Sequence, residues 1–235
     1  MKTIGLIGGM SWESTALYYR LINETVKARL GGLHSAKLVL LSVDFHDIEA
    51  MQRAHDWTAA AGAMADAARR LDAAGAQCIV LATNTMHKVA DAIERATTRP
   101  LLHIADPTAA AIRAAGYRRV GLLGTAFTMA EPFYRDRLAA RHGLDVIVPE
   151  ADDAQCVHRI IYDELCLGRV LEPSRQRYRE VMAKLVARGA EAIILGCTEI
   201  TMLVGTADAT VPLFDTTELH ARGAANWAMG LDAPD

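Results

Sequence analysis

Cysteine is scarce in this chain: four residues in 235, at positions 78, 156, 166 and 197, with no C-x-x-C pair. That is too few for a disulfide framework. An excess of one charge is also missing. The 25 Lys+Arg stand against 28 Asp+Glu, a net of −3, so no basic surface points to nucleic acid as a partner. Long apolar runs are absent too. Met1-Lys2-Thr3 leads into only about five apolar residues before Gly8-Gly9. That is too short for a signal core or a membrane span and reads as a buried strand, so a cytoplasmic protein with no membrane partner is expected. The eight histidines form no H-x-x-x-H pair, so no metal is expected. The early glycines run G-x-x-G-G rather than G-x-G-x-x-G, which argues against a dinucleotide. No phosphate loop or Schiff-base lysine context is present, so a cofactor is not expected either.

What is present is apolar content. Hydrophobic residues make up 51% and mean hydropathy is +0.12, ample for a core. At roughly 150 residues per domain, one large or two small domains fit. Short apolar runs at Ile4–Ile7, Leu38–Val43, Cys78–Leu81, Leu101–Ile104, Val120–Leu123, Asp145–Val148, Ala192–Leu195 and Val211–Phe214 read as strands. The clearest helical patterns fall at Trp12–Arg29, Ala59–Ala74, Phe133–His142 and Ser174–Arg188. Strands that are continuously apolar and alternate with helices predict an α/β protein, its parallel sheets covered on both faces.

An internal repeat sharpens this. Thr3-Ile4-Gly5-Leu6-Ile7-Gly8 resembles Arg119-Val120-Gly121-Leu122-Leu123-Gly124, 116 positions on. Gly75 through Thr85 (GAQCIVLATNT) resembles Gly189 through Glu199 (GAEAIILGCTE), 114 positions on. Two segments repeating at nearly one spacing predict two similar α/β halves related by a pseudo-twofold axis. The expected division is 1–102 plus 210–235 for the first half and 103–209 for the second, with the site in the cleft between them.

Ligands in open α/β sheets bind beyond the carboxyl ends of the strands. The matched strands deliver Thr83-Asn84-Thr85 and Cys197-Thr198-Glu199 to those ends. If each triplet opens a helix, its free amides suit a carboxylate, and the dipole lowers the pKa of the Cys197 thiol. Most cysteines after an apolar run are core filling, and a threonine there is often a helix cap. The repeat favours more: two proton-transfer groups, Cys197 and Thr83, on opposite faces of one carbon acid. That is a two-base racemisation or epimerisation, with Asn84, Thr85, Thr198 and loop amides stabilising the anionic intermediate. Glu199 either contacts the ligand or orients its neighbours. Thr125 mirrors Gly9 in the repeat and ends a strand near the same place. His87 fits a supporting or capping role better than that of a base.

Ile4-Gly5-Leu6-Ile7-Gly8-Gly9-Met10, Asn84-Thr85-Met86-His87 and Gly196-Cys197-Thr198-Glu199 resemble the aspartate/glutamate racemase family, and the likeness spans nearly the whole chain. The resemblance implies a two-domain fold and cofactor-free inversion at the α-carbon of a small amino acid. It also implies a homodimer. The family usually carries cysteine at both proton-transfer positions, whereas this chain has Thr83 and Cys197. It is most similar to the branch of L-aspartate/glutamate racemases with a Thr/Cys pair. Some aspartate racemases place a lysine where Cys166 falls and an arginine near Asp47–Gln52. With those cations missing, Gln52 is expected to meet the substrate as a neutral hydrogen-bonding group, and Met10 as an apolar wall. The alternatives are a broad-specificity racemase, a hydantoin racemase or maleate isomerase-like enzyme, and a carboxylate-binding protein without turnover.

Overall fold

Strand β1 (Ile4–Gly8) is buried at every position, as an unalternating apolar run requires. The computed structural model, which describes residues 1–231, places it between β2 (Leu38–Ser42) and β3 (Cys78–Leu81). With β4 (Leu101–Leu102) these make one parallel sheet in the order β2-β1-β3-β4. A second parallel sheet has the order β6-β5-β7-β8, from β5 (Arg119–Gly124), β6 (Asp145–Ile147), β7 (Ala192–Gly196) and β8 (Leu213–Asp215). All eight expected strands are present, with no end moved by more than two residues.

Each sheet belongs to its own unit. One takes Met1–Ile104 and regains the chain at His220; the other is Ala105–Leu219. These limits differ from the expected 102/103 and 209/210. The reason is β8: it pairs with β7, with Ile193 opposite Leu213, so the segment from 210 to Leu219 stays with the second unit. The division then falls inside helix α11 (Thr216–Met229). Its Ala221, Ala224, Ala225 and Ala228 are buried in the first unit with Ile4, Leu6, Tyr18 and Ile22. Positions 232–235 of the expected segment lie outside the described residues.

Besides most of α11, the first unit holds α1 (Trp12–Leu30), α2 (Phe45–Arg53), α3 (Trp57–Ala73) and α4 (Ala90–Ala96). Ser11 and Asp56 cap α1 and α3 with side-chain oxygens. The second unit begins with α5 (Ala105–Ala114), α6 (Ala126–Ala130) and α7 (Pro132–His142). It continues with α8 (Ala151–Asp163), α9 (Glu172–Ala187) and the single turn α10 (Ile200–Leu203). Among the described residues no helix is long and apolar enough to cross a membrane.

The sequence repeat has a packing cause. A Cβ on Gly5 would lie 3.3 Å from the Leu71 Cβ of α3, and a Cβ on Gly121 would lie 3.3 Å from the Leu185 Cβ of α9. In each unit a glycine on the central strand lets the same helix approach closely, and the two leucines are themselves 114 positions apart.

Gly9 has the strictest requirement. Its φ is +96°, and a Cβ would fall 2.1 Å from the Val43 carbonyl oxygen. Gly9→Ala is expected to cost about 3 kcal/mol or more, combining left-handed strain with backbone overlap. A denaturant midpoint unchanged from the parent would contradict this.

Candidate active site

The carboxyl edge of the first sheet carries the Thr83 triplet. β3 ends at Leu81, and the Thr83 amide turns back onto the Leu81 carbonyl at 2.9 Å, a γ-type turn. A 3₁₀ turn, Thr85–Val89, then leads into α4. Asn84 and Thr85 are buried and Thr83 is half-buried. Asn84 occupies the cap position of this turn without a side-chain capping bond, so the pattern is not an ordinary N-cap. The His87 ring spans the turn: Nδ1 is 2.7 Å from the Thr83 carbonyl oxygen, and the Ile104 amide donates to Nε2 at 3.2 Å.

Beside this turn lies an apolar wall. Met10, which follows β1, is buried in one cluster with Ile7, Ile48 and Met86. Gln52 on α2 is 3% exposed and donates its amide to the Met86 sulfur at 3.1 Å. The structure therefore gathers Met10, Met86 and Gln52 next to the Thr83 turn within the first unit.

In the second unit β5 and β7 end side by side, with Gly124 and Gly196 as register partners. Thr125 and Cys197 thus leave the sheet as neighbours. Thr125 caps α6, its hydroxyl accepting from the Thr128 amide at 3.3 Å. The Cys197 thiol, 9% exposed, donates to the Glu199 carboxylate at 3.0 Å. The Thr198 hydroxyl donates to the same carboxylate oxygen at 2.5 Å. Both neighbours are buried.

This geometry overturns the expected depression of the thiol pKa. Burial first, then the negative charge of Glu199 and the neighbouring Cys166, push the Cys197 thiol well above its ordinary value. The Glu199 amide acts the other way but is outweighed. α10 is a single turn starting only at Ile200, so its dipole offers little against an adjacent carboxylate. Cys197 is at rest a thiol hydrogen-bonded to an acid, not a preformed thiolate.

Two groups near this edge, His158 and Tyr178, had no signal of this kind in the sequence. His158 on α8 accepts the Ala126 amide at 3.1 Å through Nδ1, and burial lowers its pKa. Tyr178 on α9 is fully buried in the core cluster that includes Cys197. Its hydroxyl donates to the Val157 carbonyl at 3.3 Å, and burial raises its pKa well above the ordinary value. Cys166 packs against the same cluster. No local motif announces His158 or Tyr178; the packing of α8 and α9 against the sheet brings them there.

Comparison with known proteins gives the family. A candidate Asp/Glu racemase from Yersinia pestis is 58% identical, with a TM-score of 0.92 over 97% of this chain and 100% of that one. An aspartate racemase homologue from Pyrococcus horikoshii is 34% identical, with a TM-score of 0.83 over 97% of this chain and all of its own. A glutamate racemase from Thermus thermophilus is 33% identical over 159 residues, which is 64% of this chain and 55% of that protein. The family model for Asp/Glu/hydantoin racemases matches residues 7–224, and the chain belongs to that family.

Proposed function

We propose that the protein is a cofactor-independent racemase that interconverts the enantiomers of aspartate and glutamate, with Cys197 and Thr83 as the proton-transfer groups on opposite faces of the α-carbon. The observation that carries this reading is the Cys197 thiol bonded to the Glu199 carboxylate at the carboxyl edge of β7. A buried thiol next to an acid is costly to ionise alone. A substrate α-ammonium group brings a compensating positive charge, and Glu199 takes the thiol proton along the existing hydrogen bond.

The thiolate then removes the α-proton of the L-enantiomer. The Cα–H bond breaks, its electron pair delocalises into the substrate carboxylate, and the proton ends on Sγ. The Thr83 hydroxyl gives a proton to the other face of the α-carbon and recovers one from water, while Glu199 releases to water the proton it took from the thiol, so that both sites return to their starting state. Asn84, Thr85 and Thr125 are assigned to the substrate carboxylates and the anionic intermediate, whose charge rewards fixed donors. Thr198 is assigned a contact with the substrate while it holds Glu199. Met10 forms an apolar wall, and Gln52 supplies a neutral polar contact. The same reading takes the protein as a cytoplasmic homodimer acting on a small amino acid. Gln52 and Cys166 are both uncharged, which favours some tolerance toward other amino acids as a second reading.

Solvent deuterium exchange with chiral detection, run from each enantiomer, tests the proposal. Deuterium should enter the α-carbon as inversion proceeds. Because the enantiomers are equal in free energy, kcat/KM must be the same in both directions, while kcat and KM separately differ with a Thr/Cys pair. Thr83→Ala should lower inversion about 10²-fold or more. Saturable binding of aspartate or glutamate with no exchange would leave a carboxylate-binding protein and sink the racemase reading.

A further inference from the structure

Four hydrogen bonds meet on two buried histidines beside the Thr83 turn. His87 is 2% exposed, His220 is 1% and their neighbour His103 is 4%. His87 bridges the Thr83 carbonyl, at 2.7 Å, and the Ile104 amide, at 3.2 Å. His220 bridges the Leu102 carbonyl, at 2.7 Å, and the Tyr18 hydroxyl, at 2.9 Å. The His87 ring lies 4.3 Å from that of His103 and 6.0 Å from that of His220, centroid to centroid.

The partners fix the tautomers. A carbonyl oxygen only accepts, so the His87 hydrogen is on Nδ1; a backbone amide only donates, so Nε2 is the bare nitrogen. His220 is the reverse: Nε2 donates to Leu102, and Nδ1 accepts from Tyr18. The residues tied in this way are not scattered. Leu102 and Ile104 lie where the chain leaves the first unit, and His220 is where it re-enters. His87 therefore links the Thr83 turn to the end of the unit's first segment, and His220 packs its returning helix on the same ring.

We propose that His87 is a positioning residue for Thr83, its Nδ1–H form tying the Thr83 carbonyl to the Ile104 amide and so holding the Thr83 hydroxyl where it returns a proton to the substrate. This rests on the racemase reading above. It assigns His87 no proton transfer of its own, since both ring nitrogens are engaged with backbone groups.

A mispositioned Thr83 leaves a particular kinetic mark. Cys197 still removes the α-proton, but reprotonation from the opposite face is slowed, so the carbanion returns more often to the enantiomer it came from. In D₂O with L-aspartate and L-glutamate, His87→Ala should lower inversion about 10- to 100-fold, as small misplacements do. Deuterium entry into the unreacted L-enantiomer should fall by much less, so the ratio of exchange to inversion rises. His87→Asn, whose amide can still donate toward the Thr83 carbonyl, should recover part of the inversion and bring the ratio back toward the parent. Exchange and inversion falling in proportion in both variants would overturn the positioning role while leaving the racemase reading standing. A parent protein that neither exchanges nor inverts would overturn the racemase reading and this role with it. If His87→Ala does not fold, the ¹⁵N spectrum of the parent ring decides: a protonated Nε2 overturns the proposal, and a protonated Nδ1 with a bare Nε2 supports it.

Discussion

Cys197→Ala is expected to abolish inversion, by about 10³-fold or more, while the protein stays folded. The size follows from the removal of the group that breaks the Cα–H bond, for which no neighbouring side chain can substitute. Glu199 is two residues on, but its carboxylate is already engaged, accepting from Cys197 and Thr198. The structural cost is small, since a buried cysteine packs as a modest hydrophobe and its loss leaves little space. Cys197→Ser separates the two contributions: it can keep the hydrogen bond to Glu199 but offers a much weaker base, so it should be nearly as inactive as alanine. The other thiols provide the contrast. Cys78 lies inside β3 with its pKa pushed up to about 12 by burial, and Cys78→Ala should alter stability rather than chemistry. Inversion is to be followed by chiral chromatography beside a thermal melt. Activity within about tenfold of the parent in a folded Cys197→Ala protein would remove Cys197 from the mechanism.

The strand pattern was readable because parallel strands buried on both faces are continuously apolar, and the repeat was readable because each unit needs the same glycine under the same helix. Gly5 with Leu71 and Gly121 with Leu185 record that need at a fixed spacing. The polar triplets after β3 and β7 could likewise be placed at a sheet edge from sequence. The protonation state of Cys197 could not. The motif suggests a helix start, but whether a dipole or a carboxylate dominates depends on where Glu199 turns its side chain, and it turns toward the thiol. The return of the chain was misplaced for a similar reason. Nothing local in 210–219 says that β8 belongs beside β7; only the pairing of Ile193 with Leu213 does. His158 and Tyr178 are long-range contacts made by helices, and helical periodicity reports a buried face without saying what lies under it.

Glu199→Gln separates the charge of this carboxylate from its shape. In the parent, burial and the Glu199 charge both raise the Cys197 pKa, the carboxylate acting by repulsion and by accepting the thiol hydrogen bond. An amide of the same size removes the repulsion and leaves the burial. The thiol should then ionise at lower pH than in the parent, though still above an ordinary cysteine. Alkylation of Cys197, followed by mass spectrometry as a function of pH, reads this directly in the free protein, and its midpoint should move down. Turnover should move the opposite way. The amide cannot take the thiol proton when substrate arrives, so inversion at neutral pH should fall about 10²-fold, within the range for loss of a positioned general base. A thiol that is easier to ionise in a protein that is slower to invert is the combination expected if Glu199 receives the proton from Cys197. If Glu199 only raised the thiol pKa and took no proton, the midpoint would move down while inversion stayed level or rose. Inversion at the parent rate or faster in Glu199→Gln would therefore deny Glu199 the proton and leave Cys197 to be activated by another group.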